Sequence, residues 1–166
     1  LAAEADESDG SFLRLNPQIA VVTNIDADHL ENYGGDFARV QAAFEFLHRL
    51  PFYGLAVLCI DDAEVAALAA DMPRHVITYG FAAHADVRAE DVEQAGPAMR
   101  FTLCLPDGSR TPTTLALPGR HNVQNALAAA TIGWQLGVSP EAIARALKNF
   151  AGIGRRFNLL AELTTA

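Results

Sequence analysis

Apolar residues recur along this chain with two periods, and the switching between them outlines the fold. Ile19-Ala20-Val21-Val22 is a continuous apolar run rich in β-branched residues, without polar alternation. That pattern suits a strand buried on both faces, as in a parallel sheet. From Asp36 onward, Phe37, Val40, Ala43, Phe44, Leu47 and Leu50 fall at three- and four-residue steps. This spacing predicts a helix with one apolar stripe, opened after Gly34-Gly35 and closed at Pro51. Leu55–Ile60 reads as a strand. Asp61 and Asp62 stand where the next helix begins, with Val65, Ala66, Leu68 and Ala69 behind them, and a short strand at His75–Tyr79 follows Pro73. Strand and helix in alternation predict an α/β fold, a mostly parallel sheet flanked by helices.

The middle of the chain changes character. Val87–Val92, Arg100–Leu105 and Arg110–Leu117 alternate apolar with polar residues, and Asp107-Gly108 between the last two is a hairpin signal. A small antiparallel sheet, appended to the parallel one, is expected here. Helical spacing returns after Pro118-Gly119, with Val123, Ala126, Leu127, Ala130 and Trp134 on one stripe and a left-handed stop at Gly137. Ser139-Pro140 caps and opens a further helix with Ile143, Ala146, Leu147 and Phe150 on its stripe. Ala151-Gly152-Ile153-Gly154 breaks it, and Arg155-Arg156 follow as a hinge.

Composition narrows the class. With 166 residues, 51% of them hydrophobic, the chain is long enough for one domain with its own core. Twelve Lys and Arg against twenty Asp and Glu give a formal charge of −8, which argues against a nucleic-acid or anionic-membrane surface. Cys59 and Cys104 lie in strand-like runs without metal-binding or disulfide spacing and read as buried thiols in a reducing compartment. No apolar stretch approaches the ~20 residues that span a bilayer, and no basic segment leads into an apolar signal core. A cytoplasmic protein is expected. Leu1-Ala2-Ala3-Glu4 reads as the second half of a strand and Phe157–Leu163 as the start of a new apolar segment, so the chain is expected to be a piece of a longer protein.

Two acidic blocks carry the candidate chemistry: Glu4-Ala5-Asp6-Glu7-Ser8-Asp9, and Thr23-Asn24-Ile25-Asp26-Ala27-Asp28-His29 directly after the first apolar strand. Ligands of open α/β sheets bind beyond the carboxyl ends of the strands. Oxygen donors with one imidazole at two such ends suit a magnesium-type ion better than structural zinc. The plainer reading makes the acids a solvated loop and His29 a surface histidine. Gly119-Arg120-His121-Asn122-Val123-Gln124-Asn125 opens a helix, where Asn122 either caps it or pairs with Asn125, one turn on, as an amide pair able to read an adenine edge. Arg155-Arg156 form either a solvated linker or a guanidinium site for a polyphosphate. No Gly-x-x-x-x-Gly-Lys-Ser/Thr loop occurs, and the single lysine, Lys148, sits in a late helix. A phosphate-cradling loop, if the protein handles ATP, is expected upstream of Leu1.

Together these blocks, with Leu50-Pro51-Phe52-Tyr53-Gly54 and Gly152-Ile153-Gly154-Arg155-Arg156-Phe157, resemble the Mur ligase family over nearly the whole chain. The Asp-His and His-Asn-x-x-Asn blocks are general to that family, and the Glu-Ala-Asp-Glu-Ser-Asp and Leu-Pro-Phe-Tyr-Gly blocks point to its alanine-adding branch. The resemblance implies a central ATP-binding domain of P-loop-NTPase-like fold over residues 1–154, with residues 155–166 forming the hinge and start of a C-terminal ligase domain. It implies ATP and Mg2+ as cofactors, and UDP-N-acetylmuramate and L-alanine as small-molecule substrates joined through an acyl phosphate. By matching position, Glu4 and His29 would ligate magnesium and act in catalysis. His121, Asn122 and Asn125 would contact the nucleotide, the two asparagines at adenine, and Arg156 would approach the phosphates. Several sister ligases carry a carbamylated lysine where Phe44 stands here, so no carbamate is expected. A sister activity that adds muramoyl tripeptide to UDP-muramate stays open, as does a non-catalytic regulatory domain of the same fold.

Overall fold

All five residues of the strand Leu55–Cys59 are buried, Leu55, Val57 and Cys59 in one apolar cluster and Ala56 and Leu58 in another. That strand is the centre of a two-sided core. The computed structural model describes residues 15–25, 45–150 and 152 of the chain. Among the described residues six strands form one sheet in sequence order: β1 (Ile19–Val22), β2 (Leu55–Cys59), β3 (His75–Gly80), β4 (Val87–Ala95), β5 (Ala98–Cys104) and β6 (Arg110–Leu115). β1 to β4 pair in parallel, and β4 to β6 pair antiparallel. Residues 45–48 are helical (α1), and three further helices follow, α2 (Ala63–Asp71), α3 (Arg120–Gln135) and α4 (Pro140–Asn149).

The antiparallel strands are appended to the parallel ones, as expected, and β4 joins the two parts into one mixed sheet. Only Tyr79↔Val87 and Gly80↔Arg88 pair β3 with β4, so β4 starts beside the end of β3 and runs on past it. Before that pairing begins, Asp86 substitutes for a ladder partner. Its Oδ2 accepts from the Thr78 backbone N at 2.8 Å and the Thr78 hydroxyl at 2.7 Å. A bulge between Glu90 and Glu93, with Asp91 at φ 53°, then bends β4.

Helices cover both faces. Val123, Ala126, Leu127 and Ala130 of α3 and Ile143 and Leu147 of α4 close over Leu55, Val57, Ile77, Tyr79, Val87 and Leu103. Leu47, Leu50 and Val65 pack with Ala20, Ala56 and Leu58 on the opposite face. The caps follow the sequence: Asp62 Oδ1 accepts from Val65 N at 2.9 Å, and Ser139 Oγ accepts from Ala142 N at 3.3 Å. Gly137 ends α3 at φ 81°. Burial corrects two expectations. β1 is not buried on both faces: Val21 is 37% exposed, and among the described residues β2 is the one strand beside it. On α4, Ala146 and Phe150 face solvent, leaving Ile143 and Leu147 as the packed stripe. Of the helix expected between Asp36 and Leu50, residues before 45 lie outside the described ones.

Candidate functional site

The carboxyl ends of β2 and β3 and the first turns of α3 meet at one carboxylate. Asp61, two residues past β2, accepts from Phe81 N at 2.9 Å through both oxygens and from Ala82 N at 3.1 Å. Its Oδ2 also accepts from Gln124 Nε2 at 2.8 Å. Phe81 directly follows β3, so one side chain fastens two strand ends and a helix. Nothing larger than glycine fits before Phe81, because a Cβ on Gly80 would lie 2.6 Å from Asp61 Oδ1. The Phe81 ring in turn carries Arg120, whose guanidinium carbon stands 4.1 Å from the ring centroid.

The start of α3 has a distinct construction. Gly119 occupies the N-cap at φ 95° and supplies no side-chain cap. The backbone amides of the first turn therefore present the positive end of a 16-residue helix at the sheet's carboxyl edge. The His121 imidazole folds back over Gly119, its Cε1 only 2.7 Å from where a Cβ would stand. Asn122 does not cap the helix. Its amide instead donates to Pro118 O at 2.7 Å, which binds the incoming loop to the first turn. Asn125, one turn further, is exposed. Amides three residues apart share a helix face, and among the described residues the Asn122 carbonyl oxygen and the Asn125 side-chain amide take no hydrogen bond.

Beneath this edge the groups are neutral. Burial pushes the Cys59 thiol up, and burial with the adjacent Cys59 pushes the Tyr79 hydroxyl well above its ordinary range. Burial likewise raises Cys104, and both cysteines are free and buried, as the sequence indicated.

Of the residues singled out from sequence, His121, Asn122 and Asn125 lie together on the first turns of α3, whereas Glu4, His29 and Arg156 lie outside the described residues, as does Phe44. Among the described residues no group of three or more His, Cys, Asp or Glu is placed to hold a metal ion. Asp61, the carboxylate at the edge itself, is fully engaged by backbone and amide donors. Sequence reading missed Asp61, Phe81, Gln124 and Arg120 as members of this site. The sequence placed both Asp61 and Asp62 at the start of α2 and did not tell them apart; the structure gives the cap to Asp62 and frees Asp61 for this edge.

Comparison with known proteins adds an independent line. The family model described as the Mur ligase middle domain matches residues 2–133. The chain is 79% identical over its whole length to UDP-N-acetylmuramate--L-alanine ligase of Xanthomonas campestris pv. campestris strain B100, covering 35% of that protein. It thus spans about a third of the length of the curated relatives it matches. A crystal structure of MurF from Acinetobacter baumannii superposes over 92% of this chain and 33% of its own with a TM-score of 0.79 at 28% identity. UDP-N-acetylmuramate-alanine ligase MurC from Thermotoga maritima has the same fold, with a TM-score of 0.75 at 24% identity over 92% of this chain and 33% of its own. No helix among the described residues is long and apolar enough to cross a membrane.

Proposed function

The chain belongs to the Mur ligase family through its middle domain, and from that premise we propose that it is the ATP-handling domain of a cytoplasmic ligase joining L-alanine to UDP-N-acetylmuramate. The observation that carries this reading is the 79% identity over the whole chain to a protein named for that reaction. In the proposed reaction the muramoyl carboxylate is activated as an acyl phosphate at the expense of ATP, and the amine of L-alanine displaces phosphate.

The described edge suits the nucleotide end of that chemistry. An uncapped helix start, an exposed guanidinium at Arg120 and an exposed amide at Asn125 offer donors to a polyanion and to a purine edge. His121 and Asn122 frame the same turn, Asn122 with one hydrogen already committed to Pro118 O. Arg156 is proposed to approach the phosphates. By the family positions they match, Glu4 and His29 are proposed to hold magnesium; the Asp61 carboxylate is already engaged by three hydrogen-bonding neighbours. When bound, such ions screen the repulsion between a carboxylate and a triphosphate. Residues 155–166 are assigned to the hinge toward a following domain.

The test is ADP release by the full-length protein supplied with UDP-N-acetylmuramate and either L-alanine or muramoyl tripeptide. Turnover that depends on L-alanine is expected. Turnover with tripeptide alone would replace this substrate assignment by that of the sister ligase, and no turnover with either would leave the domain a non-catalytic member of the family.

A further inference from the structure

We infer that Asp61 is a positioning residue for ATP, holding the nucleotide-facing turn of α3 in register with the carboxyl ends of β2 and β3. The inference rests on the reading of α3 as the nucleotide turn and goes beyond it, since Asp61 itself touches no proposed ligand.

Three observations converge. First, the three contacts of the carboxylate lie 20, 21 and 63 residues away in sequence, so it adds the α3 turn to strand ends that Ile60 N, donating to Tyr79 O at 3.0 Å, already ties together. Second, Gln124 lies between Asn122 and Asn125, so the Asp61–Gln124 bond of 2.8 Å fixes the rotation and height of the helix turn that displays both asparagines. Third, the same carboxylate holds Phe81, the ring on which the Arg120 guanidinium rests at 4.1 Å. An amide pair and a cation on one helix turn are thereby oriented by a group behind them. Such preorganisation matters because a small misplacement of binding groups weakens binding without touching the reacting atoms.

Gly80 reports how tightly this arrangement is drawn. The space that its side chain would fill is occupied by Asp61 Oδ1, Cγ and Oδ2, all within 2.8 Å. Asp61 therefore seats against bare backbone, where it reaches both the loop and the helix.

The experiment is steady-state kinetics of the full-length enzyme with Asp61→Ala, Asp61→Asn and Gln124→Ala. A binding group displaced away from the chemistry alters KM with little change in kcat. For Asp61→Ala, KM for ATP should rise about tenfold, as expected for loss of charge-assisted hydrogen bonds. kcat and the KM values for UDP-N-acetylmuramate and L-alanine should stay within about twofold. Gln124→Ala should raise the ATP KM about threefold, since it removes only the helix link. Asp61→Asn should recover most of the loss, because asparagine keeps an acceptor for Phe81 N and Gln124 can turn its amide to face it. Equal losses for all three substrates, or an unchanged ATP KM in Gln124→Ala, would overturn the inference. Should Asp61→Ala fail to fold, Gln124→Ala and Asp61→Asn still decide it. Wild-type dependence on L-alanine tests the ligase reading separately, so the two can fail independently.

Discussion

Gly80 and Asp61 approach so closely that any side chain on the glycine would begin 2.6 Å from the aspartate Oδ1. Gly80→Ala should therefore push the carboxylate off its backbone donors and cost about 2 kcal/mol of stability, the scale of overpacking in a tight site. Chemical denaturation measures this. The penalty should shrink in an Asp61→Ala background, where the obstructing oxygen is gone. An additive double variant would mean that backbone strain at Gly80, φ 154°, sets the cost by itself.

Caps provide a second comparison. Asp62 and Ser139 both start helices, but the Asp62 bond to Val65 N is 2.9 Å and the Ser139 bond to Ala142 N is 3.3 Å. Asp62→Ala should cost about 1 kcal/mol and Ser139→Ala less. Asp62→Asn should cost only a few tenths, because the acceptor is kept. Denaturation midpoints rank the three variants, and the reverse order would show that distance is a poor guide to cap strength here.

The Ser139 cap and a helix start at Asp61-Asp62 were legible in the sequence, and the distant partners of Asp61 were not. A cap is a local event: Asp62 meets an amide three residues on, and the apolar stripe of α2 announces where that amide must be. The same locality made the α3 and α4 boundaries readable from Gly137 and Ser139-Pro140. Asp61 takes partners up to 63 residues distant, a pairing set by how β2, β3 and α3 meet in space. Periodicity carries no information on such contacts. The antiparallel part was expected beside the parallel one, but the pairing that joins them was not legible for a similar reason, since it depends on only two residues, Tyr79 and Gly80, at the end of β3. A helix cap was one of the two readings of Asn122, because asparagine commonly fills that position. Gly119 takes the place instead, its positive φ allowing the tight entry that turns Asn122 back toward Pro118.

Acid titration should single out Glu90. Its carboxylate receives the Arg110 Nη2 at 2.6 Å and the Arg88 Nε at 2.8 Å. These two hydrogen bonds, Arg110 first, lower its pKa from an ordinary 4.5 to about 2. A folded-state pKa below the unfolded value means that the pairing stabilises the fold above about pH 4.5, and that the contribution fades as pH falls toward 2. At about pH 3.5 an unpaired glutamate is mostly protonated, whereas Glu90 should remain ionised. The side-chain carboxyl shift in an NMR titration reads this directly. In Glu90→Gln the stability difference from wild type should narrow over that acid range, and high salt should reduce it at neutral pH because the pair is partly exposed. A Glu90 midpoint near 4.5 would show that the two arginines do not hold it in solution.

The last expectation separates the two asparagines of α3, which the sequence treats alike and the structure does not. Asn122 is half-buried and donates to Pro118 O at 2.7 Å, so Asn122→Ala should lower stability by about 1 kcal/mol through the lost bond. Asn125 is exposed, and Asn125→Ala should leave stability within about 0.5 kcal/mol. Under the proposed function both changes raise the KM for ATP in the full-length enzyme, Asn122 through the loop as well as through its own oxygen, Asn125 through ligand contact alone. Thermal unfolding with and without ATP distinguishes these routes. Asn125→Ala should melt as wild type does without nucleotide and lose part of the ATP-induced rise, whereas Asn122→Ala should melt early in both conditions. If Asn125→Ala keeps the full ATP-induced rise and an unaltered KM, the exposed amide plays no part in holding the nucleotide, and the adenine assignment falls with it.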